Sequence, residues 1–325
     1  MKIDIHMHVN YQVTFPGNRS KYFSPKDVIR HLDENQFDLC CLLTWEEIQP
    51  QIWPPNQKLT VEDVFKTYEQ YPSRILPMYS PDPMRDDATE LLRSWHKKGI
   101  KGCAELKTTL NWSSPNVQAL LATSNELELP VIFHMERSRN LILSNKSDNR
   151  ISKFISKLMN TDRFFNLPRS FFNIFGKYSN NYRIWKKERS FMFPGYLLDF
   201  DSLEDSLIKF PNMKFIGHGP LFWEHYFQFD WDNQSTKQNT KNNGITWDLL
   251  RKYPNLYADL SGSGFIQLGK NIELAKQFIS EFNEKILFGS DNEFSEYNDF
   301  LESMNISKEV LKKIYGQNAI KVLRL

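Results

Sequence analysis

Cysteine is scarce in this chain of 325 residues. There are three, Cys40, Cys41 and Cys103, with no CxxC pair. All lie in apolar, strand-like runs, which excludes a disulfide framework and points to buried thiols in a reducing compartment. Long hydrophobic runs are also missing. No stretch is long enough to span a bilayer, and the N-terminus lacks the apolar core of a signal peptide, so a soluble cytoplasmic protein is expected. Charge of one sign is not in excess: 41 Lys and Arg face 39 Asp and Glu, a formal net of +2. The molecule as a whole is therefore not a polycation built for nucleic acid. No fixed-period repeat stands out. No glycine-rich phosphate loop follows an early strand, which counts against an open, doubly wound nucleotide-binding sheet.

What is present is a regular alternation. Hydrophobic residues make up 40% of the chain and aromatics 14%, ample for a large core. Eight short apolar runs recur: KIDIHMH (2–8), DLCCLLT (38–44), RILPMYS (74–80), IKGCAELK (100–107), PVIFHME (130–136), KFIGHGP (214–220), LYADLS (256–261) and KILFGSD (285–291). Helix-like sequence separates most of them. Ser24 is placed to cap a helix beginning at Pro25, Thr60 to cap another, and Gly99 to end a third. Strands that alternate with helices form parallel sheets, and eight such units predict an α/β fold, a (β/α)8 TIM barrel. One domain over 1–325 is expected.

In that fold the functional groups sit at the C-terminal ends of the strands. The opening stretch MKIDIHMHVN sets the question. Side chains alternate along a strand, so Ile3, Ile5, Met7 and Val9 are expected on one face and Asp4, His6 and His8 on the other. Further polar residues fall at corresponding strand ends: Glu105 and Lys107, His134 and Glu136, His218, and Asp291. Barrel closure brings these ends to one mouth. Four of the seven histidines and one terminal aspartate then meet there, a nitrogen and oxygen donor set suited to zinc, manganese or iron. His31, His96 and His225 fall in helix or loop sequence, outside this set.

With these residues in place, the chain resembles the amidohydrolase superfamily, and within it amidohydrolase family 2, which includes aminocarboxymuconate-semialdehyde decarboxylase-like proteins. The matching stretches are IDIHMH, LPVIFHME, PNMKFIGHGPLFW, YPNLYADLSGSG, ILFGSD and IYGQNAIKVL, from residue 3 to about 323. The resemblance implies that His6, His8 and Asp291 hold the more buried of one or two divalent ions, zinc first. It implies that His134 is a further ligand, and that His218 binds a second metal or orients substrate or water. It also implies that a strand-four residue bridges two metals, and Glu105 is favoured over Lys107. A Glu105–Lys107 salt bridge is the structural alternative. Asp291 and His218 take the catalytic roles. The implied reaction is hydrolysis of an amide, lactone, ester or phosphate ester. Nonoxidative decarboxylation of an unsaturated or aromatic acid is the alternative, and a bridging Glu105 favours hydrolysis because the decarboxylases typically use one metal. A non-catalytic binding protein is a third reading, which the complete ligand set opposes.

Strands five and six begin 84 residues apart, against 26 to 42 for the other intervals. The excess, about 137–195, carries 13 Lys and Arg against 3 Asp and Glu, a net of +10; the whole chain is +2, so the remainder is −8. It also holds 11 aromatics. Three readings are open: a lid over the mouth, a basic amphipathic helix (ISKFISKLM) against an anionic membrane surface, or a packing or homo-oligomer element. As a lid it suits a small anionic substrate, with Arg137 and Arg139 the first contacts. No nucleic-acid recognition motif accompanies the basic–aromatic mixture. Trp223 and Phe222 are expected in the pocket wall or the core, and the Asn, Gln, Ser and Thr tail of the following loop reads as a mobile surface segment. SGSG at 261–264 is either a backbone approach to substrate or a tight turn.

Overall fold

The computed structural model describes residues 1–9, 11, 24–45, 59–137, 139–140, 192–193, 195–229, 238–292 and 297–325. Eight barrel strands appear where the apolar runs lie: β1 (Ile3–Met7), β2 (Leu39–Leu42), β3 (Ile75–Pro77), β4 (Cys103–Leu106), β5 (Val131–His134), β6 (Phe215–His218), β7 (Leu256–Asp259) and β8 (Ile286–Leu287). The strands pair in parallel in the orders β1-β2-β3 and β8-β7-β6-β5-β4. Backbone hydrogen bonds join the two sheets at both seams. Lys101 N–H donates to the Pro77 carbonyl at 2.8 Å, Tyr79 N–H to Gly102 at 3.1 Å, and Ile5 N–H to Phe288 at 3.0 Å. The result is a closed (β/α)8 barrel.

The helices start and stop where local chemistry directs. Ser24 and Asp27 form a reciprocal capping box at the head of helix Pro25–Glu34, an N-cap worth about 1 kcal/mol. Thr60 accepts from Asp63 N–H at the head of Val61–Gln70. Gly99 ends Ala88–Lys98 at φ 112°, a left-handed conformation that costs a side-chain-bearing residue energy.

Two apolar layers result. An inner cluster takes at least one residue from every strand: Ile3, Ile5, Cys41, Leu43, Leu76, Met78, Ala104, Ile132, Ile216, Tyr257 and Leu287. Ala319, Val322 and Leu323 from the last helix join it. The alternate residues, such as Cys40, Val131, Phe133, Phe215 and Phe288, pack with the surrounding helices in the outer cluster.

Strict alternation along β1 does not hold. Ile3 and Ile5 lie in the inner cluster but Met7 and Val9 in the outer one, because the register against β2 shifts between Asp4 and Met7. A second shift falls in β4 between Cys103 and Leu106, both in the outer cluster, and it turns Glu105 inward after Ala104. Irregular pairing of this kind re-aims side chains next to functional sites. Here it aims His6, His8 and Glu105.

The reading of the loop after β6 as a mobile tail is corrected in part. Gln238–Asn243 is a strand, paired antiparallel with Phe227–Phe229. The buried Phe227 anchors this hairpin, so pairing overrides a polar composition. Of the insertion, Arg139–Asn140 pairs with Met192–Phe193, and Glu136 bridges to Tyr196. The amphipathic ISKFISKLM and the rest of 141–191 lie outside the described residues. No helix among the described residues is long and apolar enough to cross a membrane.

Candidate metal centre

His6, His8, Glu105, His134, His218 and Asp291 converge at the C-terminal mouth of the barrel, and the hydrogen bonds decide which atoms face inward. His6 Nδ1 lies 2.6 Å from Asp259 Oδ2. Asp259 is fully buried at the end of β7. Burial pushes its carboxyl up, but His6 and His218 outweigh this and hold it below the usual carboxylate range. An ionised carboxylate only accepts, so His6 donates from Nδ1 and its Nε2 keeps a free lone pair. His8 donates from Nδ1 to the Leu43 carbonyl at 3.0 Å, which leaves its Nε2 bare as well.

These two Nε2 atoms stand 3.2 Å apart. Asp291 Oδ1 is 3.4 Å from His8 Nε2 and 3.9 Å from His6 Nε2. Three acceptors at this separation repel one another unless a cation lies among them, and two imidazoles with a carboxylate fit a divalent transition metal. A second group, His6, Glu105 and His218, also has ligand atoms within 4.8 Å of one another.

Glu105 stands between the groups. Its Oε1 lies 2.7 Å from His134 Nδ1 and 3.7 Å from His218 Nε2, while Oε2 lies 3.9 Å from His8 Nε2. Burial pushes this carboxyl up, yet the Lys107 and His134 charges and the His134 hydrogen bond hold it well below its ordinary range. His134 Nδ1 thus donates to Glu105 here; its Nε2 lies 3.3 Å from Glu136 Oε2, a second acceptor that would take the ring proton if a cation occupied the place beside Nδ1.

The surrounding backbone is fixed to match. Asn292 clamps the β1 end: His8 N–H donates to its Oδ1 at 3.0 Å, and its Nδ2 donates to the His8 carbonyl at 2.9 Å. Asp291 N–H donates to the His6 carbonyl at 2.8 Å. Asp291 and Asn292 sit at φ 49° and 60°, a region Asp and Asn enter more readily than other side chains. A Cβ at Gly289 would fall 2.4 Å from Asp259 Oδ1 and 2.9 Å from His6 Cβ, so only glycine lets the carboxylate lie under the imidazole.

The other residues expected at the site have the following partners. The Arg137 guanidinium pairs with Glu224. The Arg139 side chain lies outside the described residues. Trp223 is fully buried behind the site, where its indole N–H donates to the Asp259 carbonyl at 2.9 Å. Lys107 makes no salt bridge with Glu105; its Nζ lies 3.7 Å from the Trp45 ring centroid.

Four residues of the site are absent from the sequence reading: Asp259, Ser261, Asn292 and Gly289. Ser261 Oγ donates to Asp259 Oδ2 at 2.7 Å and lies 2.9 Å from His218 Nδ1, so SGSG contributes a side chain rather than a backbone approach. Asp259 was findable, since it ends a barrel strand as His218 does.

A family model described as Amidohydrolase matches residues 3–325, and the chain belongs to that family of metal-dependent enzymes. No curated protein matches it significantly. Solved structures share its fold at low identity. The 5-carboxyvanillate decarboxylase of Sphingomonas paucimobilis is 14% identical at a TM-score of 0.58, covering 100% of this chain and 99% of that one. A probable 2-pyrone-4,6-dicarboxylic acid hydrolase of Acinetobacter baumannii with citric acid bound is 14% identical at 0.55, covering 100% and 99%. A dihydroxybenzoic acid decarboxylase of a Polaromonas species, with manganese and the inhibitor 2-nitroresorcinol, is 14% identical at 0.55, covering 100% and 97%.

Proposed function

We propose that this chain is a metal-dependent hydrolase that cleaves an amide, lactone, ester or phosphate ester bond in a small anionic molecule. The observation that carries the reading is Glu105, whose two oxygens face separate histidine groups, as a carboxylate shared by two cations requires. His6, His8 and Asp291 form one half of the centre, with Glu105, His134 and His218 forming the other. Zinc is the favoured metal for this donor set, with manganese or iron next.

A divalent cation held there would lower the pKa of a bound water and polarise the carbonyl or phosphoryl oxygen under attack. Asp291, with a side chain 16% exposed at the mouth, is the group that would take a proton from the attacking water and return it to the leaving group. His218, its Nδ1 side engaged by Ser261 and Asp259, keeps an Nε2 lone pair that would ligate the second cation or orient the attacking water. Arg137, steadied by Glu224 where the chain leaves β5, faces an anionic substrate group. The cytoplasm is the proposed compartment.

The second reading is a nonoxidative decarboxylase with the same ligands. The names of two of the fold neighbours favour it. The experiment supplies metal-loaded protein with esters, lactones, amides, phosphate esters and aromatic carboxylic acids in 18O-labelled water. Label in the product supports hydrolysis; CO2 released from an acid, with no label gained, replaces that reading with decarboxylation.

A further inference from the structure

Several charged groups described around the centre are paired at close range. Glu105 and Glu136 face His134, Asp259 faces His6 and His218, and Arg137 is joined to Glu224. Lys107, whose charge helps hold the Glu105 carboxyl down, has no such close pair among the described residues. It follows β4 directly, half-buried, two residues beyond Glu105. Its Nζ lies 3.7 Å from the Trp45 ring centroid and 5.4 Å from that of Tyr196. Among the described residues no carboxylate pairs with it.

The aromatic faces attract the cation without consuming its N–H donors, since a cation–π contact is made with the ring quadrupole. An ammonium held this way is positioned and still able to donate to an oxyanion. Its distance from the chemistry is bounded. The His134 and Tyr196 ring centroids are 5.8 Å apart and Nζ is 5.4 Å from the latter, so Nζ lies no more than 11.2 Å from the His134 ring. Within that bound, one small molecule can reach from the histidine–carboxylate cluster to the ammonium.

We propose that Lys107, seated over Trp45 and beside Tyr196, receives a carboxylate of the substrate remote from the reacting bond. The substrate is then a small carboxylic acid whose reacting group occupies the metal centre. The proposal rests on the reading of that centre as metal-binding, and it makes Lys107 a specificity-determining residue.

The test is calorimetric binding of benzoate against phthalate, isophthalate and terephthalate to zinc-loaded protein. One carboxylate of each is available to the metal centre; only the dicarboxylates have a second for Lys107. The wild type is expected to bind one of the three isomers at least tenfold more tightly than benzoate. Lys107→Met is expected to abolish that preference with its melting temperature unchanged, and Lys107→Arg to keep most of it. No preferred isomer in the wild type, or a preference that persists in Lys107→Met, overturns the proposal. Repeating the titrations on chelator-stripped protein separates the two ideas. Benzoate binding that needs no metal counts against the metal centre, while the dicarboxylate-to-benzoate ratio and its loss in Lys107→Met still decide the role of Lys107.

Discussion

Replacing Asp259 with Asn changes no heavy-atom count but removes the charge that organises two imidazoles. Asp259 Oδ2 accepts from His6 Nδ1 at 2.6 Å and Ser261 Oγ at 2.7 Å, and lies 3.1 Å from His218 Nδ1. An Asn amide offers a single acceptor oxygen. If its NH2 faces His6 instead, the imidazole proton moves to Nε2 and blocks the atom that faces His8. Hydrogen bonds to charged groups contribute roughly 1.5–3 kcal/mol each, and loss of such an outer partner costs about 10–100-fold in metal affinity. We therefore expect Asp259→Asn to weaken zinc binding by about 10–100-fold, or roughly 1.4–2.7 kcal/mol. Competition with a chromophoric chelator measures it, and thermal unfolding checks that the barrel is intact. Gly289→Ala is an independent perturbation of the same contact, because its Cβ meets Asp259 Oδ1 at 2.4 Å. It should weaken binding in the same direction. Zinc affinity within twofold of wild type in both folded variants would refute the argument that Asp259 sets the histidine tautomers.

Other outcomes follow from the same geometry. Asn292→Ala removes both hydrogen bonds that clamp His8, and should lower stability by about 1–3 kcal/mol in a denaturant titration and reduce zinc affinity as well. His31, buried in the helix Pro25–Glu34, has its pKa pushed down to about 3 by burial. The unfolded chain protonates that residue near 6.5, so its contribution is intact above pH 6.5 and is lost as pH falls toward 3. At pH 5 the loss is on the order of 2 kcal/mol. His31→Gln should therefore lose less stability than wild type between pH 7 and pH 5, and equal losses would show that His31 is not held neutral. His6→Ala, His8→Ala and Asp291→Ala should each abolish activity and weaken metal retention, read by turnover and by metal content after dialysis.

Much of this arrangement is legible in the sequence, for identifiable reasons. The eight strands are short apolar runs set between capped helices, and both signals are local. The histidines and Asp291 follow from one rule, that polar residues at the ends of parallel barrel strands share a mouth. The faces of β1 are not legible by alternation. The register shift between Asp4 and Met7 depends on pairing with β2, about 35 residues away along the chain, and no feature of IDIHMH announces it. Glu105 reaches the site for a related reason, through irregular pairing of β4 with β5. Asp259 falls under the same strand-end rule, although LYADLS reads as one more apolar strand. Trp223 was drawn to the pocket by its place just beyond His218, but the short helix Pro220–Glu224 turns the indole back onto the Asp259 carbonyl. Gln238–Asn243 is polar throughout and becomes a strand only because Phe227–Phe229 offers it an edge.

The central claim is a centre for two metals shared through Glu105. Elemental mass spectrometry of protein purified without chelators counts the ions per chain. The account predicts about two transition-metal ions, falling to one in Glu105→Gln. One ion in both proteins would contradict the bridge and leave Glu105 outside the ligand set, and none after incubation with zinc or manganese would contradict the metal centre itself.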